Sequence, residues 1–152
     1  MENRRRELRG VRALVVDDDP VVRTLVVRLL EQLGMAVEQA HSGVEALGKL
    51  DRGFRGLVVL DLVLPDRSGL DLLPDLRRTA PFAEVIMLTG HGSAGVAVEA
   101  VREGAFEFVE KSSLLEDLPS AVQRAAVALR GIAPASACPE SVGSSPTTQA
   151  VY

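Results

Sequence analysis

Residues 13–20 read "ALVVDDDP": Ala13-Leu14-Val15-Val16, then Asp17-Asp18-Asp19, then Pro20. An uninterrupted apolar run of this length is how a strand reads when both of its faces are buried, as in a parallel sheet. Three adjacent carboxylates repel one another, so the strand must end where they have separate uses. Pro20 suits the first position of a helix, where its missing N–H costs nothing. Asp19 then falls at the N-cap, a position that favours Asp. Asp17 and Asp18 are left free to face a neighbouring strand.

Working outward, similar runs recur at Met35–Ala40, Leu57–Leu62, Val85–Leu88 and Phe106–Val109. Helical patterns alternate with them. Val21, Leu25, Leu29 and Leu33, flanked by Val22, Val26 and Leu30, form one wide apolar stripe, and Gly34 stops that helix. Ser42 and Glu45 have the spacing of a capping box. Further helices are expected at about 68–79, 93–103 and 117–130. Pro74 and Pro119 would break a helix interior, so each is expected in the first turn of its helix. The order is (βα) five times, an α/β fold of the doubly wound class with helices on both faces of a parallel sheet. In such sheets the binding site lies at the carboxyl ends of the strands.

Composition bounds the possibilities. The chain has 152 residues, 47% of them hydrophobic, enough for one domain with a sizeable core. The net charge of -4 does not suggest a nucleic-acid-binding surface, and none is expected for this domain. Residues 1–10 read as a basic, solvated lead-in, residues 11–131 as the folded domain, and residues 132–152 as a flexible linker or tail. The last segment is rich in Pro and Ser and has no periodicity. The single cysteine, Cys138, excludes an intrachain disulfide. No apolar run approaches the roughly 18 residues of a membrane span, and the start lacks a signal peptide's apolar core. A soluble, cytoplasmic protein with no membrane partner is expected.

Polar groups converge on the strand ends. Asp17 and Asp18 follow the first strand, Asp61 ends the third, Thr89 ends the fourth, and Lys111 follows the fifth. Each alone is ordinary, since Asp after a strand is commonly a turn or cap residue. Together they place three carboxylates, a hydroxyl and an ammonium on one edge of an apolar sheet. The carboxylates need a cation, and an all-oxygen donor set favours a hard ion such as Mg²⁺. Thr89 could donate to a phosphoryl oxygen. Only Lys49 and Lys111 are lysines among 17 cations, so a lysine here is a specific choice of a compact point charge. His41 and His91 are single loop histidines and are not expected to be ligands.

The stretches "ALVVDDDP", "LVVLDLVLPDRSGLDLL", "VIMLTGHGS" and "AVREGAFEFVEKS" closely resemble the receiver domain of bacterial two-component response regulators, from about Val11 to Arg130. The resemblance implies a flavodoxin-like (βα)5 sheet of strand order 2-1-3-4-5. It implies that Asp61 accepts a phosphoryl group from a histidine of a sensor kinase or of a phosphotransfer protein. It implies that Asp17, Asp18, Asp61 and the backbone carbonyl of Val63 hold Mg²⁺. It further implies that Thr89 and Lys111 contact the phosphoryl group, and that Thr89 and Phe108 act as the switch pair. The switch would reshape the face made by the helix at 93–103, the strand at Phe106–Val109 and the last helix (the α4-β5-α5 face). A homodimer through that face and an output domain beyond residue 152 are compatible with it. The family usually has a cis proline after the lysine. Here Ser112 stands there, and a trans Lys111–Ser112 bond is expected because cis costs ~2.5–4 kcal/mol before a non-proline residue. The loop is then expected to reroute, with the last helix starting near Asp117. A partner surface is expected on the first helix, with Pro20, Arg23 and Val27 as candidates. A Mg²⁺-dependent aspartyl phosphohydrolase is the competing class, but such enzymes want a second Asp where this chain has Val63. A phosphate-independent interaction module is the third, and the intact polar set speaks against it.

Overall fold

The computed structural model describes residues 8–90 and 94–132. Five strands alternate with five helices. They are β1 (Arg12–Val16), α1 (Pro20–Gln32), β2 (Ala36–Ala40), α2 (Gly43–Gly48), β3 (Leu57–Asp61), α3 (Gly69–Thr79), β4 (Glu84–Thr89), α4 (Ala94–Arg102), β5 (Glu107–Glu110) and α5 (Leu114–Ile132). A 3-10 turn, Lys111–Ser113, leads into α5. All strand pairs are parallel and the order is β2-β1-β3-β4-β5. This is the doubly wound α/β sheet expected from the alternation of apolar runs and helical patterns.

Two cores lie on the two faces of the sheet. Ala13, Val15, Leu57, Val59, Ile86 and Leu88 pack against α1 and α5. Leu14, Val16, Val58, Leu60, Val85 and Met87 pack on the other side, with Leu72, Leu73 and Leu76 of α3. The period of two along each strand thus feeds both layers, which is why these runs are almost purely apolar.

The ends of α1 are set by local chemistry. Asp19 Oδ1 accepts the Val21 N–H at 2.9 Å, with Pro20 in the first turn. At the other end Gly34 takes φ 97, and the Met35 and Gly34 N–H groups return to the Leu30 and Glu31 carbonyls. That is a Schellman closure, which needs a residue free to adopt positive φ. The capping box at Ser42 and Glu45 forms only in half. Ser42 Oγ accepts the Glu45 N–H, but the Glu45 carboxylate turns back to the N–H of His41 rather than to that of Ser42.

Several expectations are corrected. Pro74 and Pro119 lie in the second turns of α3 and α5, not the first. α5 starts at Leu114 rather than near Asp117, directly after the 3-10 turn. A proline beyond the first turn costs roughly 3 kcal/mol. Starting α5 at Leu114 rather than Asp117 adds a buried Leu114 to the helix, worth roughly 1.5–3 kcal/mol, which offsets much of that cost. The apolar stripe of α1 is also wider than its buried face: Val26, Val27 and Leu30 are in the core, whereas Val21 is 75% and Leu25 40% exposed. Among the described residues no peptide bond is cis, Lys111–Ser112 included. Residues 1–7, His91, Gly92 and the tail with Cys138 lie outside the described residues.

The amino-terminal boundary shifts as well. Leu8 falls inside the stretch expected to be a solvated lead-in, yet it is fully buried with the α1–α5 layer. The Val11 N–H closes onto the Leu8 carbonyl at 3.1 Å, and Gly10 turns the chain into β1 with φ 79. Leu8→Ala is therefore expected to cost about 2–5 kcal/mol. Urea unfolding checks this; a change within 0.5 kcal/mol, roughly the surface range, would return Leu8 to the lead-in.

Candidate functional site

The parallel register brings the polar groups to one edge. Asp17 follows β1, Asp61 ends β3 opposite Leu88, and Thr89 ends β4 opposite Glu110. Lys111 opens the 3-10 turn after β5. Carboxylate oxygens of Asp17, Asp18 and Asp61 all lie within 4.8 Å of one another. Asp17 and Asp61 are buried, and Asp18 is exposed at the rim.

The three aspartates that follow β1 have different surroundings. Asp19 caps α1. Asp17 Oδ1 accepts the Asp19 N–H at 2.9 Å, so the cap also orients the buried carboxylate. Arg23, in the first turns of α1, donates to the Asp17 carbonyl at 2.7 Å and to Gln39 Oε1 at 3.0 Å. The Asp17 N–H donates to the Ala40 carbonyl at 3.1 Å. The backbone of Asp17 is thus held from both sides.

Lys111 Nζ stands 3.1 Å from Asp61 Oδ1 and 3.6 Å from Asp17 Oδ2. Burial alone would lower the pKa of its ammonium. The hydrogen bond and charge of Asp61, then those of Asp17, outweigh that and raise it above the ordinary lysine value. At Asp17 burial outweighs the contacts that favour the charged form. Burial pushes its carboxyl up to about 6, against the lowering effect of the Asp19 N–H, and the negative charge of Asp61 adds to the rise. A single ammonium therefore does not fully neutralise this cluster.

Two buried oxygens have no hydrogen-bond partner among the described residues: Asp17 Oδ2 and Thr89 Oγ1. A buried polar atom left unpaired is costly, so each points to a missing partner. The donor set suits a hard divalent cation: oxygen-only, with two buried carboxylates, one rim carboxylate and open access from solvent. Asp17, Asp18 and Asp61 can hold such an ion together. The Thr89 hydroxyl, buried at the end of β4, is free to donate to an anion.

Val63 is 69% exposed, and its N–H donates to Asp61 Oδ1 at 3.3 Å. Phe108 is 37% exposed on β5, opposite Met87 on β4. Of the surface candidates on α1, Pro20 is exposed, Arg23 is engaged with Asp17 and Gln39, and Val27 is core at 8% exposure. An open groove of about 350 Å³ lies beside Lys111, lined by Val22 and Leu25 of α1 and by Leu114 and Leu115 of α5.

Sequence reasoning missed Gly69. A Cβ there would sit 2.4 Å from the Asp61 carbonyl oxygen and 3.1 Å from Met87 Cε. Any side chain at the start of α3 would push on the backbone of Asp61. In the sequence, "SG" before an apolar helix reads only as a cap, so the close approach leaves no local signal.

The response regulator receiver domain model matches residues 13–123. The DNA-binding transcriptional regulator NtrC of Azospirillum brasilense is 32% identical over 149 residues, covering 91% of this chain and 30% of that protein. The chain spans under half the length of the other curated transcriptional regulators it matches. The chemotaxis protein CheY of Listeria monocytogenes is 31% identical, covering 76% of this chain and 98% of that protein. The solution structure of the beryllofluoride-activated NtrC4 receiver domain dimer is similar with a TM-score of 0.72 at 33% identity, covering 78% of this chain and 98% of that one.

The raised Asp17 pKa makes ion-free stability depend on pH. An unfolded Asp titrates near 3.8, the folded one near 6, so between these values the folded state binds more protons than the unfolded state. Stability is then fully present below about pH 4 and falls as pH rises to about 6, by up to ~3 kcal/mol. Urea titrations in chelator across this window check it. Asp17→Asn is expected to flatten the slope; an equal slope in that variant would assign it to another group.

Proposed function

The chain belongs to the response regulator receiver domain family, and we propose that it works as a phospho-accepting switch in a two-component phosphorelay. Asp61 is the acceptor. The observation that carries this reading is the convergence on Asp61 of Lys111 Nζ at 3.1 Å, two further carboxylates, and a buried Thr89 hydroxyl with no hydrogen-bond partner among the described residues. No other cluster among the described residues joins three metal-capable side chains.

The donor is a histidine of a sensor kinase or of a phosphotransfer protein. An Asp61 carboxylate oxygen attacks phosphorus in line as the bond from phosphorus to the imidazole nitrogen breaks. The electron pair leaves with the imidazole, which takes a proton from solvent. Phosphoryl transfer of this kind depends mostly on positioning and charge neutralisation. Asp17, Asp18, Asp61 and the Val63 carbonyl would hold Mg²⁺, which would offset the negative charge of the carboxylates and the phosphoryl oxygens. Lys111 supplies a second positive charge to the phosphoryl oxygens, and Thr89 donates its hydroxyl to one of them. The product is an acyl phosphate on Asp61, so the chain turns over only by slow self-dephosphorylation and is a regulatory domain rather than an enzyme.

The added charge acts as a switch because its contacts are better made in one of two states. Thr89 moves toward the phosphoryl group, and Phe108, half exposed on β5, rotates inward. The α4-β5-α5 face changes shape as a result. Exposed Val101 and Val127 lie on the same elements, which suits a homodimer through this face. The beryllofluoride-activated NtrC4 receiver dimer supports that reading. The histidine donor docks on α1 and the start of α5, where Val21, Leu25 and Leu115 are exposed beside the site. An output domain after residue 152 fits the length of the NtrC relative, of which this chain covers 30%. As a receiver domain it works in the cytoplasm, where its phosphoryl donor is expected.

Asp61→Asn is expected to abolish base-labile phosphorylation while keeping the fold, because the amide is nearly isosteric but a poor nucleophile. Mass spectrometry after incubation with a histidine kinase and ATP checks this; a label persisting on the variant would move the acceptor elsewhere. Val63 offers no polar group to orient a hydrolytic water. Val63→Asn is expected to shorten the half-life of the phosphorylated form several-fold, read from decay of the label; equal half-lives would remove Val63 from the account.

A further inference from the structure

The β3–α3 connection, residues 62–68, carries Val63 and is closed at its base. Val63 and Ser68 pair as an antiparallel bridge, and the Gly69 N–H donates to the Leu62 carbonyl at 2.6 Å. Its tip is held by contacts distant in sequence. Asp66 Oδ1 accepts the Gly43 N–H at 3.0 Å and Asp66 Oδ2 accepts the Val44 N–H at 3.0 Å. Both carboxylate oxygens are thus used, on the first two residues of α2. Gly43 leaves room for this: a Cβ there would lie 3.2 Å from Asp66 Oδ2 and 3.3 Å from Arg67 Cγ and Cδ. On the far side Arg67 donates to the Asp71 carbonyl at 2.8 Å and pairs with Asp75 at 2.9 Å.

We propose that Asp66 is a positioning residue: its carboxylate latches the acceptor loop to α2 and so holds the Val63 carbonyl in register with Asp61 for the divalent ion. The inference rests on the phospho-acceptor reading above. A simple cap for α2 explains the contacts less well. Ser42 already caps this helix, through Oγ to the Glu45 N–H and its carbonyl to the Ala46 N–H. Val44 is 73% exposed, so water reaches that turn of the helix, while Gly43 is buried and its N–H relies on Asp66. What water cannot replace is the fixed distance between α2 and the loop tip. Because the Val63–Ser68 bridge closes the loop, displacement of the tip is transmitted to Val63. Groups that orient metal ligands from outside typically matter by 10–100-fold in metal affinity. The Asp66 carboxyl is also held below its ordinary pKa, first by the Gly43 N–H, so it is ionised at neutral pH.

The test is a Mg²⁺ titration of the full chain, followed by amide chemical shifts. In the wild type the Gly43 and Val44 amides should report Mg²⁺ binding with the same dissociation constant as residues at Asp61. Asp66→Ala should weaken Mg²⁺ about tenfold or more and silence that report. Gly43→Ala should do the same from the other side, and the double variant should be no weaker than Asp66→Ala alone. Ser42→Ala removes the other cap of α2 and should leave Mg²⁺ affinity unchanged. Unchanged affinity in Asp66→Ala, or equal loss in Ser42→Ala, overturns the latch. A wild-type chain that binds no Mg²⁺ overturns the functional reading and the latch with it.

Discussion

Mutual repulsion between carboxylates at the ends of β1 and β3 governs this structure. Register places Asp17 and Asp61 side by side in a buried crevice, with Asp18 at its rim. At such separations unit charges interact by about 4 kcal/mol even at an effective dielectric near 20. Lys111 answers part of this, reaching both buried carboxylates from the far edge of the sheet. The residue opens a 3-10 turn that joins the end of β5 directly to the start of α5. Burial, with the negative charge of Asp61 adding to it, raises the Asp17 pKa, and Asp17 Oδ2 has no hydrogen-bond partner among the described residues, Lys111 standing 3.6 Å away. A domain of roughly 5–15 kcal/mol total stability has to offset this with the apolar side chains buried in its two layers.

That imbalance is what a switch requires. A site fully neutral in the resting state gains little from a cation or a phosphoryl group. Under the proposed function, phosphorylation would give an acceptor to Thr89 Oγ1, which has no hydrogen-bond partner among the described residues, and a bound cation would join Lys111, 3.6 Å away, at Asp17 Oδ2. The free energy gained can then be spent on the state that makes those contacts best. Phe108, only partly covered on β5, and the exposed valines of the flanking helices are the surface on which such a change would be read.

Much of this was legible in the sequence. The apolar runs are pure because both faces of each strand are buried, and Pro20 fixes the role of Asp19. The strand-end rule then gathers Asp17, Asp18, Asp61, Thr89 and Lys111. What escaped was tertiary. The proline rule alone puts the start of α5 near Asp117, and it takes no account of the burial of Leu114. The wide apolar stripe on α1 does not tell its buried part from its exposed part, and Val21 and Leu25 are exposed. Leu8 was read as solvated because its neighbours are charged. Asp66 and Gly69 escaped for a deeper reason: their partners, Gly43, Val44 and the Asp61 backbone, are set by topology rather than by spacing.

The most direct test of the central claim, that the carboxylates, Thr89 and Lys111 form one phosphoryl-binding site, is calorimetric titration with beryllofluoride. Saturable binding of one equivalent per chain, present with Mg²⁺ and absent in chelator, is the predicted result. Binding that ignores Mg²⁺, or no binding at all, would contradict it.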